Sequence, residues 1–470
     1  MIAIVGGGIS GLATAYQLAS DGVAFTLFEA SPRLGGIVET IHRLGFVIEC
    51  GPDSWVTEKP WARELAVELG LEDQIIPSND QWRRTYVQQG SHHQTQLVPI
   101  PDGMRMMVPS RWEPLLESPL FSEQARQAYL REPERAEELK KSAPAQDESV
   151  AEFVRRHFGE EVAGTIAGPL LAAVFGGDIA QLSVRAVMPA FVRMEAEEGS
   201  LIRALQQRAP QSTQSLFTTL SNGLGTLIDR MVERLPAASL RLNQQVLRME
   251  RGNGGWHLTT ASGSTRFDAV VLATPPHVTR GLLHDQDARI ADLLPQQASS
   301  AIVVALAFTA EQAARLRIPR GFGFVVPPMR PDASSHEFEL LACTFVDQKF
   351  NGRVPPGAVL LRAFFGGNSG DALLGESDDQ IIARARLQLA RVLGPLPPAA
   401  ETVVRRWPLS LPQYAVGHLE RMAELESLLC GLPGLSLVGC AYYGVGLPDL
   451  IRHGRATARV LAGQPNTVAI

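Results

Sequence analysis

The sequence predicts an α/β chain, α+β overall. A parallel nucleotide-binding sheet is gathered from distant segments and joined by a mixed-sheet second unit and a helical insertion. Three observations predict this. A strand, a glycine-rich turn and a helix open the chain. A strand, a second glycine-rich loop and a helix close it. Between them, strand-rich stretches flank a long segment in which strand signals are few.

The elements follow in order. Residues 2–5 (Ile-Ala-Ile-Val) read as a buried strand. Gly6-x-Gly8-x-x-Gly11 follows, and Leu12 to Ser20 has helical spacing, stopped by Asp21-Gly22. Ala24 to Phe28 is a second strand ending in Glu29, which completes a βαβ unit. Asp53 to Leu71 reads as mostly helical, and Thr85 to Val87 with Thr95 to Ile100 as a hairpin. Residues 102–209 read as helical, with Ile166 to Phe175 as a buried helix before Gly176-Gly177. Short alternating strands are expected at 240–249, 256–260 and 265–267, and a buried strand at 268–273. Further strands are expected at 301–308, 322–326, 339–346 and 358–366, with a helix at Asp378 to Leu393. Leu435 to Val438 is the last strand, and Asp449 to Leu461 the last helix.

Composition narrows the function. The 470 residues are too many for one ordinary core, and 45% hydrophobic with 20% charged is ordinary for a globular chain. A net charge of −6 gives no basic excess for nucleic acid. The cysteines Cys50, Cys343, Cys430 and Cys440 form no C-x-x-C pair, which reads as a reduced, cytoplasmic chain. The opening residues leave no room for a signal peptide, and the apolar run 301–308 is far short of the roughly 20 residues a spanning helix needs.

The glycine fingerprint carries specific physics. One glycine permits the tight turn, one lets backbone approach a pyrophosphate, and one lets the helix pack on the sheet. Unpaired amides at the helix start then face the phosphates; Gly6, Gly8, Ile9, Ser10 and Gly11 are the candidates. Glu29, 18 residues after Gly11, is placed to accept hydrogen bonds from ribose hydroxyls. This is a Rossmann-like site. The continuation Glu29-Ala30-Ser31-Pro32-Arg33-Leu34-Gly35-Gly36 resembles the FAD flavoproteins of the amine oxidase superfamily. The resemblance adds Ala30, Arg33 and Gly36 to the cofactor contacts. At the C-terminal end, the amides of Val445, Gly446 and Leu447 begin a helix whose positive end can stabilise a reduced flavin.

The resemblance narrows to the oxygen-dependent porphyrinogen oxidases of haem biosynthesis, protoporphyrinogen oxidase and coproporphyrinogen III oxidase. It rests on Glu49-Cys50-Gly51-Pro52-Asp53-Ser54, on Gly352-Arg353-Val354-Pro355-Pro356-Gly357 with residues 360–367, on Pro412-Gln413-Tyr414-Ala415-Val416-Gly417-His418, and on Ile451-Arg452-His453-Gly454. It implies an FAD-binding domain of residues 1–75, 210–280 and 430–470. It also implies a substrate-binding domain of 76–101 and 281–429, and a helical domain, 102–209, matching one that associates with membranes. Gly51, Pro52, Asp53 and Ser54 are expected along the flavin ring, Val246 at the adenine end and Trp407 near the isoalloxazine. Arg84, or its neighbour Arg83, is expected to take a substrate propionate. Phe324 and Phe345, with Phe364, are candidate pocket walls, with packing in the core as the alternative.

The implied reaction is a six-electron oxidation of a porphyrinogen by O2, giving hydrogen peroxide. Ferrochelatase docking and a peripheral membrane contact belong to the same expectation. The alternatives are another flavoenzyme of this fold, such as an amine oxidase or carotenoid desaturase, or a non-enzymatic flavoprotein. The motifs do not choose between the two porphyrinogens, name a general base or fix an oligomeric state. Lys349 reads as a surface residue, His92-His93 as a solvated turn and His418 as a structural hydrogen-bonder. No metal-ligand spacing stands out.

Overall fold

The computed structural model describes residues 1–90, 95–207, 214–252, 254–327 and 339–464. His92-His93 lie outside the described residues. Two sheets organise the chain.

The first is a five-stranded parallel sheet. Its strands run in the spatial order Leu240–Arg241, Phe25–Phe28, Ile2–Val5, Ala269–Leu272 and Leu435–Leu437. Ile2–Val5 sits between Phe25–Phe28 and Ala269–Leu272, four residues in register on each side. Every residue of these three strands is buried, as continuous apolar runs in a covered parallel sheet should be. One face, with Ile4, Leu27 and Val271, packs against the helices Ile9–Ser20, Gly225–Glu233 and Leu447–Leu461. The other face, with Val5, Phe28 and Leu272, packs against the antiparallel strands Val246–Gly252, Gly255–Thr260 and Gly263–Phe267. The first and last helices of the chain lie against each other. At their crossing, any Cβ on Gly454 would stand 2.5 Å from the Ser10 carbonyl oxygen, so only glycine allows that approach.

The second sheet is seven-stranded and mixed. Its order is Glu401–Pro412, Ala298–Phe308, Val359–Gly366, Leu340–Phe345, Gly323–Val325, Thr85–Gln89 and Gln96–Pro99. Only Gly323–Val325 and Thr85–Gln89 pair in parallel. The side-chain period of two separates the faces. Ile302, Val304, Leu361, Phe365, Phe324 and Phe345 pack under the helix Asp378–Leu393. On the opposite face, Val87, Val325, Ala342 and Phe364 meet the helical segment.

That segment holds short helices between Trp112 and Gln207, with one two-residue ladder at Met104–Arg105 and Val108–Pro109. A π-helical turn, Ala163–Ala167, leads into Gly168–Phe175, which ends on Gly176 in the left-handed region. Among the described residues, no helix is long and apolar enough to cross a membrane.

Two expectations differ from the observed elements, and one strand stands where none was expected. The helix after Asp53 spans only Trp61–Glu68, because Pro60 precedes it and Trp55–Val56 pairs with Phe217–Leu220. The terminal helix begins at Leu447, with Pro448 in its first turn where the missing N–H is harmless. The long strand Glu401–Pro412 opens on Glu-Thr-Val-Val-Arg-Arg and carries no clean alternation, so its pattern is legible only beside its partner Ala298–Phe308.

Candidate flavin and substrate site

The fingerprint turn joins Ile2–Val5 to Ile9–Ser20. Gly6 has φ +107°, and a Cβ on Gly11 would collide with the Gly6 carbonyl oxygen. The helix has neither a side-chain cap nor an acidic residue in its first turn. Its first intrahelical bond, Leu12 N–H to the Gly8 carbonyl, leaves the Ile9 and Ser10 amides ahead of the ladder. Beside Gly8 there is open space where a Cβ would point. A bare positive helix end beside an open glycine face fits a dinucleotide pyrophosphate.

Glu29 closes the turn from the side. Its carboxylate accepts the Gly7 N–H at 2.7 Å and the Ser31 N–H at 2.8 Å. Its carbonyl takes the Gln244 N–H, which brings the start of the strand bearing Val246 beside the end of Phe25–Phe28. Val246 itself is buried. Ala30 is exposed beyond Glu29. Arg33 folds back on its own loop and donates to the carbonyls of Leu34, Val38 and Gly36. It therefore shapes the Gly35-Gly36 turn, which lies beside Gly8 through a bridge to Gly35.

The loop Gly51 to Ser54 is held from three directions. Trp407 Nε1 donates to the Cys50 carbonyl at 2.7 Å. Arg362 donates to the Gly51 carbonyl and stands 3.1 Å from Asp53 Oδ2. Lys349 Nζ donates to Asp53 Oδ1 at 2.8 Å and lies 3.3 Å from Ser54 Oγ. The two cations hold the Asp53 carboxyl far below the usual carboxylate range, against the opposing effect of burial. Burial pulls the Lys349 ammonium downward, with Asp53 opposing. Behind this cluster, Arg353 meets Glu49 at 3.0 Å, both sealed from water, and donates to Thr219 Oγ1 at 2.6 Å. Thr219 in turn donates to the Asp53 carbonyl. The Glu49 to Ser54 motif and the Gly352 to Gly357 motif are thus two ends of one buried ion-pair system. The Cys50 thiol is pushed up to about 12 by burial and stays neutral.

Two expectations are corrected here. Lys349 is not a surface residue: it is 9% exposed, and its Nζ lies over the rings of Phe217 and Phe350. Phe324 and Phe345 are not pocket walls. They pack in the core against each other and under Asp378–Leu393, on the face turned away from Arg362. The strand period decides this, since Phe345 sits opposite Leu361, one position from Arg362. Phe364 faces the other way, half-buried, with the Arg362 guanidinium over its ring at 4.9 Å. Arg84 is exposed at the start of Thr85–Gln89, and its carbonyl takes the Phe322 N–H.

Lys349, Arg353, Arg362 and Glu49 were missed as a buried cluster. One signal was available. Arg362 interrupts an otherwise apolar strand, and a charge there is either at an edge or paired.

At the other end of the chain, Val445, Gly446 and Leu447 form the entry to the terminal helix. Asp449 in its first turn meets Lys59 Nζ at 2.5 Å. Val445, Leu170 and Phe364 are each half-buried and pack against the helical segment's core. The helix Gly168–Phe175 lies against the face of the mixed sheet that carries Phe364, and the C-terminal loop reaches the same apolar core through Val445.

A glycine turn at an uncapped helix start, with a carboxylate beside it, is the plan of a dinucleotide-binding fold. The chain belongs to the family of flavin containing amine oxidoreductases, whose model matches residues 9–462. Its cofactor is FAD. Among its relatives is the coproporphyrinogen III oxidase of Bacillus subtilis, 32% identical, the match covering 97% of this chain and 96% of that one. The coproporphyrinogen III oxidase of Staphylococcus aureus is 28% identical over 97% of this chain and 98% of that one. A crystal structure from Exiguobacterium sp., provisionally assigned as a protoporphyrinogen oxidase, superposes with a TM-score of 0.84, 31% identity and 98% coverage of both chains.

Proposed function

We propose that this chain oxidises coproporphyrinogen III to coproporphyrin III with O2, as a step of haem synthesis. The observation that carries the reading is the correspondence with coproporphyrinogen III oxidases along nearly the whole of both chains, in a chain whose glycine turn and Asp53 loop are intact. When bound, FAD supplies a two-electron acceptor that O2 can reoxidise with release of hydrogen peroxide, and three rounds remove six electrons.

The chain's own residues supply placement and charge. In this reading Gly6, Gly8, Ile9, Ser10 and Gly11 cradle the pyrophosphate, Glu29 and Ala30 meet the ribose, and Val246 borders the adenine. Arg33 and Gly36 shape the next turn. Gly51, Pro52, Asp53, Ser54 and Trp407 border the ring system, and Val445, Gly446 and Leu447 place a positive helix end beside it. Phe364, Leu170 and Val445 give the macrocycle apolar walls, in place of Phe324 and Phe345. Arg84 remains the candidate cation for a propionate, which a guanidinium binds bidentately. The division into 1–75, 210–280 and 430–470 for the cofactor, 76–101 and 281–429 for the substrate, and 102–209 as a helical unit follows the same reading. So do a cytoplasmic location with at most peripheral membrane contact, and delivery of product to a ferrochelatase.

The test is aerobic turnover of coproporphyrinogen III and protoporphyrinogen IX side by side, followed by porphyrin fluorescence and peroxide release. A larger kcat/KM for coproporphyrinogen III is expected. FAD-dependent fluorescence gain with neither substrate would remove the reading.

A further inference from the structure

The segment Pro412 to His418 touches two parts of the molecule that are otherwise remote in sequence. On one side it is stitched to the helical segment. The Gln413 side chain donates to the Phe175 carbonyl at 2.8 Å. Ser183 N–H donates to the Tyr414 carbonyl at 2.7 Å, and Val416 N–H to the Gln181 carbonyl at 3.0 Å. Gly417 N–H donates to Asp147 Oδ2 at 2.8 Å.

On the other side the same few residues hold the loop that leads into the terminal helix. Tyr414 Oη donates to the Cys440 carbonyl at 2.6 Å and accepts the Gly444 N–H at 2.9 Å. His418 Nε2 lies 2.9 Å from the Tyr442 carbonyl. The Tyr414 and His418 rings stack at 4.0 Å, 10° from parallel, and both are sealed from water. Carbonyls 440 and 442 and amide 444 are therefore pinned by two side chains that belong to neither the loop nor its helix. Burial lowers the His418 pKa, with Arg421 adding to it and the Tyr442 hydrogen bond, Asp147 and Glu420 opposing, so the imidazole donates one N–H to the Tyr442 carbonyl as a neutral ring.

We propose that Tyr414 and His418 are positioning residues for the flavin. They fix the loop of residues 440–446, and so the Gly446 and Leu447 amides at the helix start, and they brace that loop against the helical segment through Gln413, Ser183 and Asp147. The proposal rests on the FAD assignment, and extends it to residues that touch no cofactor. An oriented helix end stabilises negative charge only when its amides are held in place before the charge develops. Tyr414 and His418 hold them.

The experiment uses the purified full chain and four variants. Y414F keeps the stack and loses both loop hydrogen bonds. H418F keeps the stack and loses the bond to Tyr442, whereas H418Q restores a donor without the ring. D147A loosens the brace from the helical side, at a residue outside the cofactor and substrate contacts. The readouts are the FAD dissociation constant, the midpoint potential of the bound flavin and the visible absorption spectrum. Y414F and H418F should each raise the dissociation constant about tenfold, the effect of losing one or two hydrogen bonds, and shift the potential to more negative values. H418Q should recover most of both, and D147A should move them in the same direction by a smaller amount. Wild-type potential and dissociation constant in Y414F and H418F would overturn the proposal. If those two do not fold, an unchanged potential and an unchanged dissociation constant in D147A overturn it. Failure of the wild-type chain to bind FAD would instead remove the cofactor assignment.

Discussion

Glu132 is a carboxylate shut away from water and Asp53 one largely so, yet their partners come from very different distances along the chain. Asp53 is met by Lys349 and Arg362, about 300 residues away in sequence, as the 296-residue separation from Lys349 shows. Glu132 is met by His157 Nδ1 at 2.9 Å, only 25 residues on, and by the Leu201 N–H at 2.7 Å. The other nitrogen of His157 meets Glu195 at 3.0 Å, and Arg156 bridges Glu195 to Glu148. The first cluster ties the Gly51 to Ser54 loop to the mixed sheet. The second staples helices of one segment to each other. Buried ion pairs are weak stabilisers and costly to break halfway. The first is therefore read as shaping a site, and the second as specifying how short, polar helices pack.

The largest effect should come from D53A, which leaves two buried cations without their carboxylate. A loss of about 3–5 kcal/mol is expected, with recovery as apoprotein. Denaturant melts and the flavin absorbance that survives gel filtration measure both. E132A should cost about 3 kcal/mol by the same mechanism, with FAD per folded chain unchanged. Equal loss of flavin in both variants would erase the distinction between the clusters.

The clusters should also separate by pH. Two carboxylates raise the His157 pKa against burial, and Arg156 and Glu148 complete its surroundings. A raised folded pKa stabilises fully below the ordinary histidine value, and that contribution is lost as pH rises through the folded one. Asp53 works in the opposite sense: its depressed pKa stabilises above the ordinary carboxylate value and is lost as pH falls. Glu195, also lowered, shares that acid limb. H157Q should therefore flatten the alkaline limb of the stability profile and, because the His157 hydrogen bond also helps lower Glu195, soften the acid limb as well. Thermal melts from pH 4 to pH 9 would show it.

The smallest effect concerns Asp347, two residues from Lys349. Burial pushes its carboxyl up to about 6, although its Oδ1 accepts the Leu360 N–H. Stability from a raised carboxyl is present in acid and lost as pH rises through about 6. D347N keeps an acceptor and removes the buried charge. It should raise stability by about 1–2 kcal/mol at pH 8 and change little at pH 4, as calorimetry would read.

Much of this was legible in the sequence because it is local. The βαβ opening, the buried strand near 270, the helix Asp378–Leu393 and the glycine turn depend on neighbours a few residues apart. Period and glycine spacing report these directly. Side-chain direction around the second sheet was not legible. Phe345 and Phe364 are both apolar residues in apolar runs, and only strand register turned one into the core and the other toward Arg362. Lys349 looked like any charged residue before a turn, because its partner lies near the other end of the chain.

The sequence by itself determined a dinucleotide turn at the N-terminus, a second helix start at the C-terminus and the motifs joining them. Tertiary structure alone decided which charges are buried together, which phenylalanine faces Arg362, and that Tyr414 and His418 hold the loop before the terminal helix. The physical reason is range. Propensity and periodicity act through adjacent residues, whereas ion pairs, sheet register and loop pinning arise only when distant segments close on each other.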